Sequence, residues 1–301
     1  MNGNIYMVET LDPKDFDEWV GHCDSVFGVG ADYFRRHFVS DPYRDYDSVF
    51  IIKDQAINKI ISTVRVFHRQ VYIGGKVYKM GGIGEVSTHP DYRGLGLSYK
   101  LLEAAAAYMK KNRFDLSMLG TGRYSHYEKH GFMRASFYKK NVDADLEITN
   151  ADIRPLTSEN FHEMSGLYDK YCAGLNGCIV RSKEYWREWC AVEIKNPYGL
   201  FRDNQLTGYI CFEGDKVGEL AAGEKDHDIL LSAVKPENGK ISVPAFVKTQ
   251  RAVFEEYSHD GTMICVFNPI EIDGIVLKDT TQTVEYLNTH GGIVRCGQDS
   301  F

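Results

Sequence analysis

Arg93-Gly94-Leu95-Gly96-Leu97-Ser98 places two glycines in a turn that leads from a strand-like stretch into an Ala-rich amphipathic run. Glycine costs backbone entropy, so two in one short turn point to special backbone geometry or to close approach of a ligand. A turn that opens a helix presents unsatisfied N–H groups and the positive end of the macrodipole, an arrangement that favours an anion. A P-loop would close on Gly-Lys-Ser/Thr, which is absent here. A dinucleotide fingerprint would need a third glycine where Tyr99 stands and an acidic residue at the next strand end. Gly81-Gly82-Ile83-Gly84 begins a strand instead of following one. On pattern alone, a glycine-rich corner without a ligand is an equal alternative.

The residues around the turn break the tie. Val86-Ser87-Thr88-His89-Pro90-Asp91-Tyr92-Arg93-Gly94-Leu95-Gly96-Leu97-Ser98 resembles the signature of the GNAT N-acetyltransferase superfamily, V-x-V-x-P-x-x-R/Q-x-x-G-x-G/A. Arg93 and Gly96 fit, and Ser98 replaces the last small residue. Downstream, His126-Tyr127-Glu128-Lys129-His130-Gly131-Phe132 resembles the family's F-Y-x-x-x-G-F. The resemblance implies acetyl-CoA as co-substrate, its pyrophosphate on the amides of Arg93, Gly94, Leu95, Gly96, Leu97 and Ser98. It also implies a pantetheine arm paired with the backbone of Val86, Ser87 and Thr88.

The same resemblance gives Tyr127 the role of general acid to the coenzyme A sulfur. A phenol with a pKa of about 10 is a sensible donor to a thiolate near 8.5. Tyr124, one helical turn earlier, is expected in packing or substrate contact. Glu85 precedes the cofactor strand residues, and in many relatives a carboxylate on this strand deprotonates the amine through water. A strand carboxylate satisfied by a neighbouring arginine is the competing reading, with His89 and His126 as other candidate bases. Relatives often carry Asn seven residues before the tyrosine, where this chain has Gly120.

IISTVRVFHRQVYIGGKVYKMGGIGEVSTHPDYRGLGLS is similar to the first domain of enhanced-intracellular-survival (Eis) type acetyltransferases. Such proteins carry a second GNAT-like domain without the cofactor turn. Here VKPENGKISVPAFVKT lacks an Arg-x-x-Gly-x-Gly equivalent. In those relatives a third, sterol-carrier-like domain follows, and the terminal carboxylate enters the first site as base. This chain is too short for all three, yet the expectation is that the Phe301 carboxylate reaches the Tyr127 site.

Composition bounds the rest. The chain has 301 residues, 43% hydrophobic and 26% charged, an ordinary globular balance that makes two domains the expectation. Its formal net charge of −7 counts against nucleic-acid partners, and against binding charged tRNA for aminoacyl transfer. The charge is compatible with a small-molecule amine acceptor of polycationic type. Seven cysteines are scattered singly without a CxxC pair, so neither a disulfide framework nor a metal site is expected. No apolar run approaches the roughly 20 residues of a membrane span, and the N-terminus lacks a secretory layout; a cytoplasmic protein is the expectation. Oligomeric state is not legible.

The elements that must position these residues follow from periodicity. Strands are expected at 5–10, 48–54, 60–70, 76–80, 80–88, 114–120 and 132–140, with a hairpin at Gly74-Gly75. Helices are expected over 13–27, 31–39, 95–112 and 123–130. This is an α/β (α+β mixed sheet) pattern with a right-handed crossover after Arg93. Beyond 150 the order recurs: a helix after Ser158, another over 180–192, three strands, then a helix over 243–257 with Pro244 in its first turn, and a strand at 263–268. The expected organisation is a tandem, with residues 1–147 as the GNAT catalytic domain and 148–301 as a degenerate GNAT-like domain shaping the acceptor site. The reading is an N-acetyltransferase acting on a primary amine, with a non-catalytic acyl-CoA-binding regulator as the alternative.

Overall fold

The computed structural model describes residues 6–146, 150–295 and 299. In the first half, β1 (Val8–Thr10) leads through a 3-10 turn into α1 (Phe16–Phe27) and α2 (Ala31–Val39). Asp12 caps that turn by accepting from the Lys14 N–H, and α1 stops at Gly28, whose φ of +67° ends it in the left-handed conformation. Trp19, Val20 and Cys23 form the buried face of α1. The meander β2 (Val49–Asp54), β3 (Lys59–Ile73) and β4 (Lys76–Thr88) follows. Gly74 and Gly75, both at positive φ, form the two-residue β3–β4 turn. KVYKM and MGGIGEVST, expected as separate strands, are one continuous β4, because β3 pairs along nearly its whole length.

α3 (Leu97–Lys111) crosses to β5 (Leu116–Gly120), then α4 (Tyr124–Glu128) leads to β6 (Met133–Asp143). Leu97, Leu101, Leu102, Ala105 and Met109 are the buried stripe of α3, each contributing roughly 1.5–3 kcal/mol if leucine-sized. Gly81 lets α3 lie close on β4, since a Cβ there would collide with Met109 Sδ.

The second half runs β7 (Asp152–Pro155), α5 (Phe161–Cys172) and α6 (Lys183–Tyr185). α6 continues through a π-helical stretch, Trp186–Cys190, into α7 (Ala191–Glu193). β8 (Pro197–Arg202), β9 (Gln205–Glu213), β10 (Lys216–Ala221), α8 (His227–Leu231) and β11 (Lys240–Pro244) complete it. The chain then returns in β12 (Val253–Val266), a small hairpin of β13 (Ile270–Ile272) and β14 (Ile275–Leu277), and α9 (Thr280–Thr289). α9, which the sequence reading did not anticipate, is capped by Asp279 accepting from the Gln282 N–H.

The helix expected over 243–257 is absent; that stretch is the end of β11, a turn, and the start of β12. The Pro244 carbonyl accepts from the Val247 N–H in that turn. β12 lies between β5 and β6 and pairs antiparallel with both, and over 253–257 the non-local ladder with β6 overrides the local spacing.

Among the described residues one sheet holds the order β1-β2-β3-β4-β5-β12-β6-β11-β10-β9-β8-β7. Read from either end it is the same: an antiparallel meander, then one parallel step bridged by a helix, then the β12–β6 pair. The expected boundary at 147/148 falls between β6 and β7, but the sheet is continuous and a cut there would take β12 from β5. The halves therefore share their central strands. No helix among the described residues is long and apolar enough to cross a membrane.

Candidate active site

β4 and β5 pair in parallel only from Met80/Leu116 to Gly82/Met118, then diverge. The cause is a bulge in β4: Arg65 pairs with Gly84 and Thr63 with Ser87, so β4 carries one residue more than β3 between them. Glu85 takes the strain at φ +52°. The divergence opens a cleft of about 900 Å³. It is lined by Glu85, Val86, Ser87 and Thr88 on one side and by Gly120 to Arg123 and Tyr127 on the other. Arg93, Gly94, Gly96, Leu97 and Ser98 close its end. Of the expected site residues, Leu95 alone among those described is not in the lining; its side chain is exposed. Phe301 lies outside the described residues.

Gly94 and Gly96 have φ of +83° and +71°, and open space lies where their Cβ atoms would stand. Gly96 is the N-cap of α3, and the first helical hydrogen bond runs from the Lys100 N–H to the Gly96 carbonyl at 3.2 Å. Amides of the first turn therefore project from the helix end, with no acidic side chain in that turn to compete for them. Arg93 is exposed beside it, its Nε donating to the Thr88 carbonyl at 3.3 Å. The equivalent corner of the second half differs: Glu224, Asp226 and Asp228 crowd the start of α8, and Asp226 accepts from Arg202 at 2.7 Å. Those carboxylates repel an anion at that corner.

Tyr127 is buried on α4 between the His126 ring at 5.0 Å and the Phe132 ring at 6.2 Å. Burial pushes its pKa up to about 12, with Arg123 opposing, so the phenol keeps its proton at neutral pH. Tyr124 lies under the Arg134 guanidinium, 4.0 Å from its ring centre, a packing role. His126 also lines the cleft, and burial lowers its pKa. His89 caps the Pro90–Tyr92 turn instead of facing the cleft.

Glu85 points away from α3 toward α1 and α2. Its Oε1 accepts from Arg65 Nη1 at 3.4 Å, while its buried Oε2 has no hydrogen-bond partner among the described residues. Burial raises its pKa, with Arg65 and His37 opposing and Asp41 adding to the rise. Beneath it, fully buried Asp41 accepts from Arg65 Nη2 at 2.9 Å and from Arg69 Nη1 at 2.9 Å. Glu85 is thus a strand carboxylate paired with an arginine, and it is also among the residues that line the cleft. From the second half, Glu193 reaches within 3.5 Å of His37.

Residues 7–135 match the family model described as an acetyltransferase (GNAT) domain. The chain carries a GNAT acetyltransferase domain. Solved structures share the fold over much more of the chain. A GCN5-related N-acetyltransferase from Kribbella flavida aligns with a TM-score of 0.68 at 17% identity, covering 88% of this chain and 72% of its own. A probable N-acyltransferase from Enterococcus faecalis gives 0.69 at 15%, covering 87% and 72%. Eis1 from Mycobacterium abscessus gives 0.61 at 12%, covering 88% and 74%. At such identities these likenesses speak to fold. No curated protein matches the chain.

Within the GNAT domain, the sequence reading missed part of the cleft wall. Val26 and Phe27, at the end of α1, and Thr121, Gly122, Arg123 and Ser125 all line it. The run Gly120-Thr121-Gly122 was the available signal for the loop. Nothing local marks Val26 or Phe27, because α1 is brought to the cleft by packing on β3 and β4.

Proposed function

We propose that the protein is an acetyl-CoA-dependent N-acetyltransferase acting on a primary amine. The observation that carries this reading is the single cleft that collects the 93–98 turn, the unpaired edge of Val86–Thr88, Glu85 and Tyr127. The residues fit the donor. Two positive-φ glycines with open space leave room for a diphosphate on the α3 amides, and Arg93 adds charge-assisted contact. Ser87 and Thr88 pair with β3 on one edge, and the divergence of β5 leaves the other edge for an amide-bearing arm. Acetyl-CoA, when bound, supplies the thioester whose acyl group is transferred.

The chain's own residues manage the protons. Tyr127 holds one on Oη for the leaving sulfur, and Glu85 takes one from the incoming amine, directly or through water. The formal net charge of −7 suits a cationic acceptor. The assay is release of coenzyme A thiol from acetyl-CoA against a panel of amines, peptides and aminoglycosides. Turnover with any of these supports the reading; tight cofactor binding with no release across the panel favours a regulator.

A pH profile tests Glu85. The base acts as carboxylate, and its pKa is raised, so the acid limb of kcat/KM should lie above the ordinary carboxylate range of about 4.3. Glu85→Gln should remove that limb and lower kcat/KM about a hundredfold. An unchanged limb in the variant assigns the base elsewhere.

A further inference from the structure

β4 and β5 run parallel where they pair, and each is followed by a helix on the same face of the sheet: Leu97 and Leu101 of α3 share a cluster with Tyr127 of α4. α3 and α4 therefore start at the same end of the sheet, one on each side of the divergence. Gly96 is the N-cap of α3, and Arg123 holds the corresponding place before α4. The loop that carries Arg123 is fixed. Thr121 N–H donates to the Gly261 carbonyl at 2.7 Å, and Arg123 N–H donates to Thr121 Oγ1 at 2.9 Å. Arg123 is exposed and lines the cleft, and its guanidinium makes no ion pair or hydrogen bond among the described residues. It stands four residues before Tyr127, a spacing that brings side chains together on a helix, and its charge opposes the rise in the Tyr127 pKa. The cleft lining thus holds two exposed arginines, Arg93 and Arg123, and one carboxylate, Glu85, which Arg65 already engages. In a chain of net charge −7 this is a local reversal of sign. Arginines gathered around one cleft repel each other, and their summed field draws in an anion.

We propose that Arg123 is a donor-binding residue: from across the divergence its guanidinium takes oxygens of the acetyl-CoA diphosphate, which is then held from both sides of the cleft, by the Arg93–Ser98 turn and by Arg123. The role rests on the acetyl-CoA reading above. Arginine suits it, since its rigid fork of N–H donors matches two phosphate oxygens at once and stays charged. The donor is favoured over the acceptor as the source of the anion by the two faces of the sheet. Arg123 precedes α4 on the face that carries α3, whereas Glu85, the base assigned to the amine, points toward α1 and α2.

The test is calorimetric titration of coenzyme A and, separately, of 3′-dephospho-coenzyme A, which keeps the diphosphate, each at low and high salt. Arg123→Gln should weaken both ligands by the same factor of about ten, the size of a lost charge-assisted hydrogen bond. The gap from wild type should narrow as salt rises, because the contact is exposed and ionic. Arg123→Lys should recover part of the loss, since it restores the charge without the fork. Unchanged affinity in a folded Arg123→Gln overturns the assignment. So does a loss confined to coenzyme A, which moves the contact to the 3′-phosphate, and so does a loss independent of salt, which makes Arg123 a packing residue. Intact coenzyme A affinity with a raised KM for the amine also overturns it, by placing the anion on the acceptor. All four results leave the donor reading standing; a wild-type protein that binds neither ligand removes that reading itself.

Discussion

Tyr127→Phe should lower kcat by about 10²–10⁴-fold while leaving coenzyme A affinity within about twofold of wild type. The hydroxyl is the only group removed, and the ring keeps its seat between His126 and Phe132. Because burial holds the pKa up to about 12, the phenol is protonated across the working range. It therefore donates instead of titrating, and the alkaline limb of the wild-type profile should not lie at an ordinary tyrosine pKa. Steady-state rates beside calorimetric affinities separate the two effects. Loss of affinity equal to the loss of rate would make Tyr127 a packing residue of the cleft.

The second large effect concerns stability. Asp41→Asn should destabilise the fold by about 3–5 kcal/mol, the usual cost of breaking a buried pair. Asp41 is fully buried and is the shared carboxylate of Arg65 and Arg69, whose guanidiniums also lie against the rings of Phe67 and Trp189. Neutralising it leaves two buried cations facing an amide. Urea unfolding reads the loss directly, from the midpoint at constant slope. The variant has a second consequence at the site. Asp41 contributes to the raised pKa of Glu85, so its removal makes the Glu85 carboxylate easier to form and should move the acid limb of the rate profile to lower pH. A stable variant with an unmoved limb would detach this network from the site.

Contiguous chemistry was legible in the sequence. The Arg93–Ser98 turn and Tyr127 are recognisable because the geometry they need is set by neighbouring residues: positive φ at Gly94 and Gly96, and a short helix that presents one phenol. The first-half strands were legible because alternation and the Gly74-Gly75 turn are local. The environment of Glu85 was not, since Arg65, Asp41 and His37 meet it only through strand pairing and the packing of α2. The start of β12, residues 253–257, was misread as helix because its partner β6 decides its conformation from far along the chain.

If the amides at the start of α3 grip the diphosphate of an acyl carrier, calorimetric titration of coenzyme A into wild type and Gly96→Val will show it. A β-branched residue is strained at the φ of +71° that Gly96 adopts, and its side chain enters the space left for the phosphates. Binding to the wild-type protein should be saturable, and a folded Gly96→Val should lose affinity by at least about tenfold. Wild-type protein that releases no heat on titration, or a folded variant that binds as tightly as wild type, would contradict it.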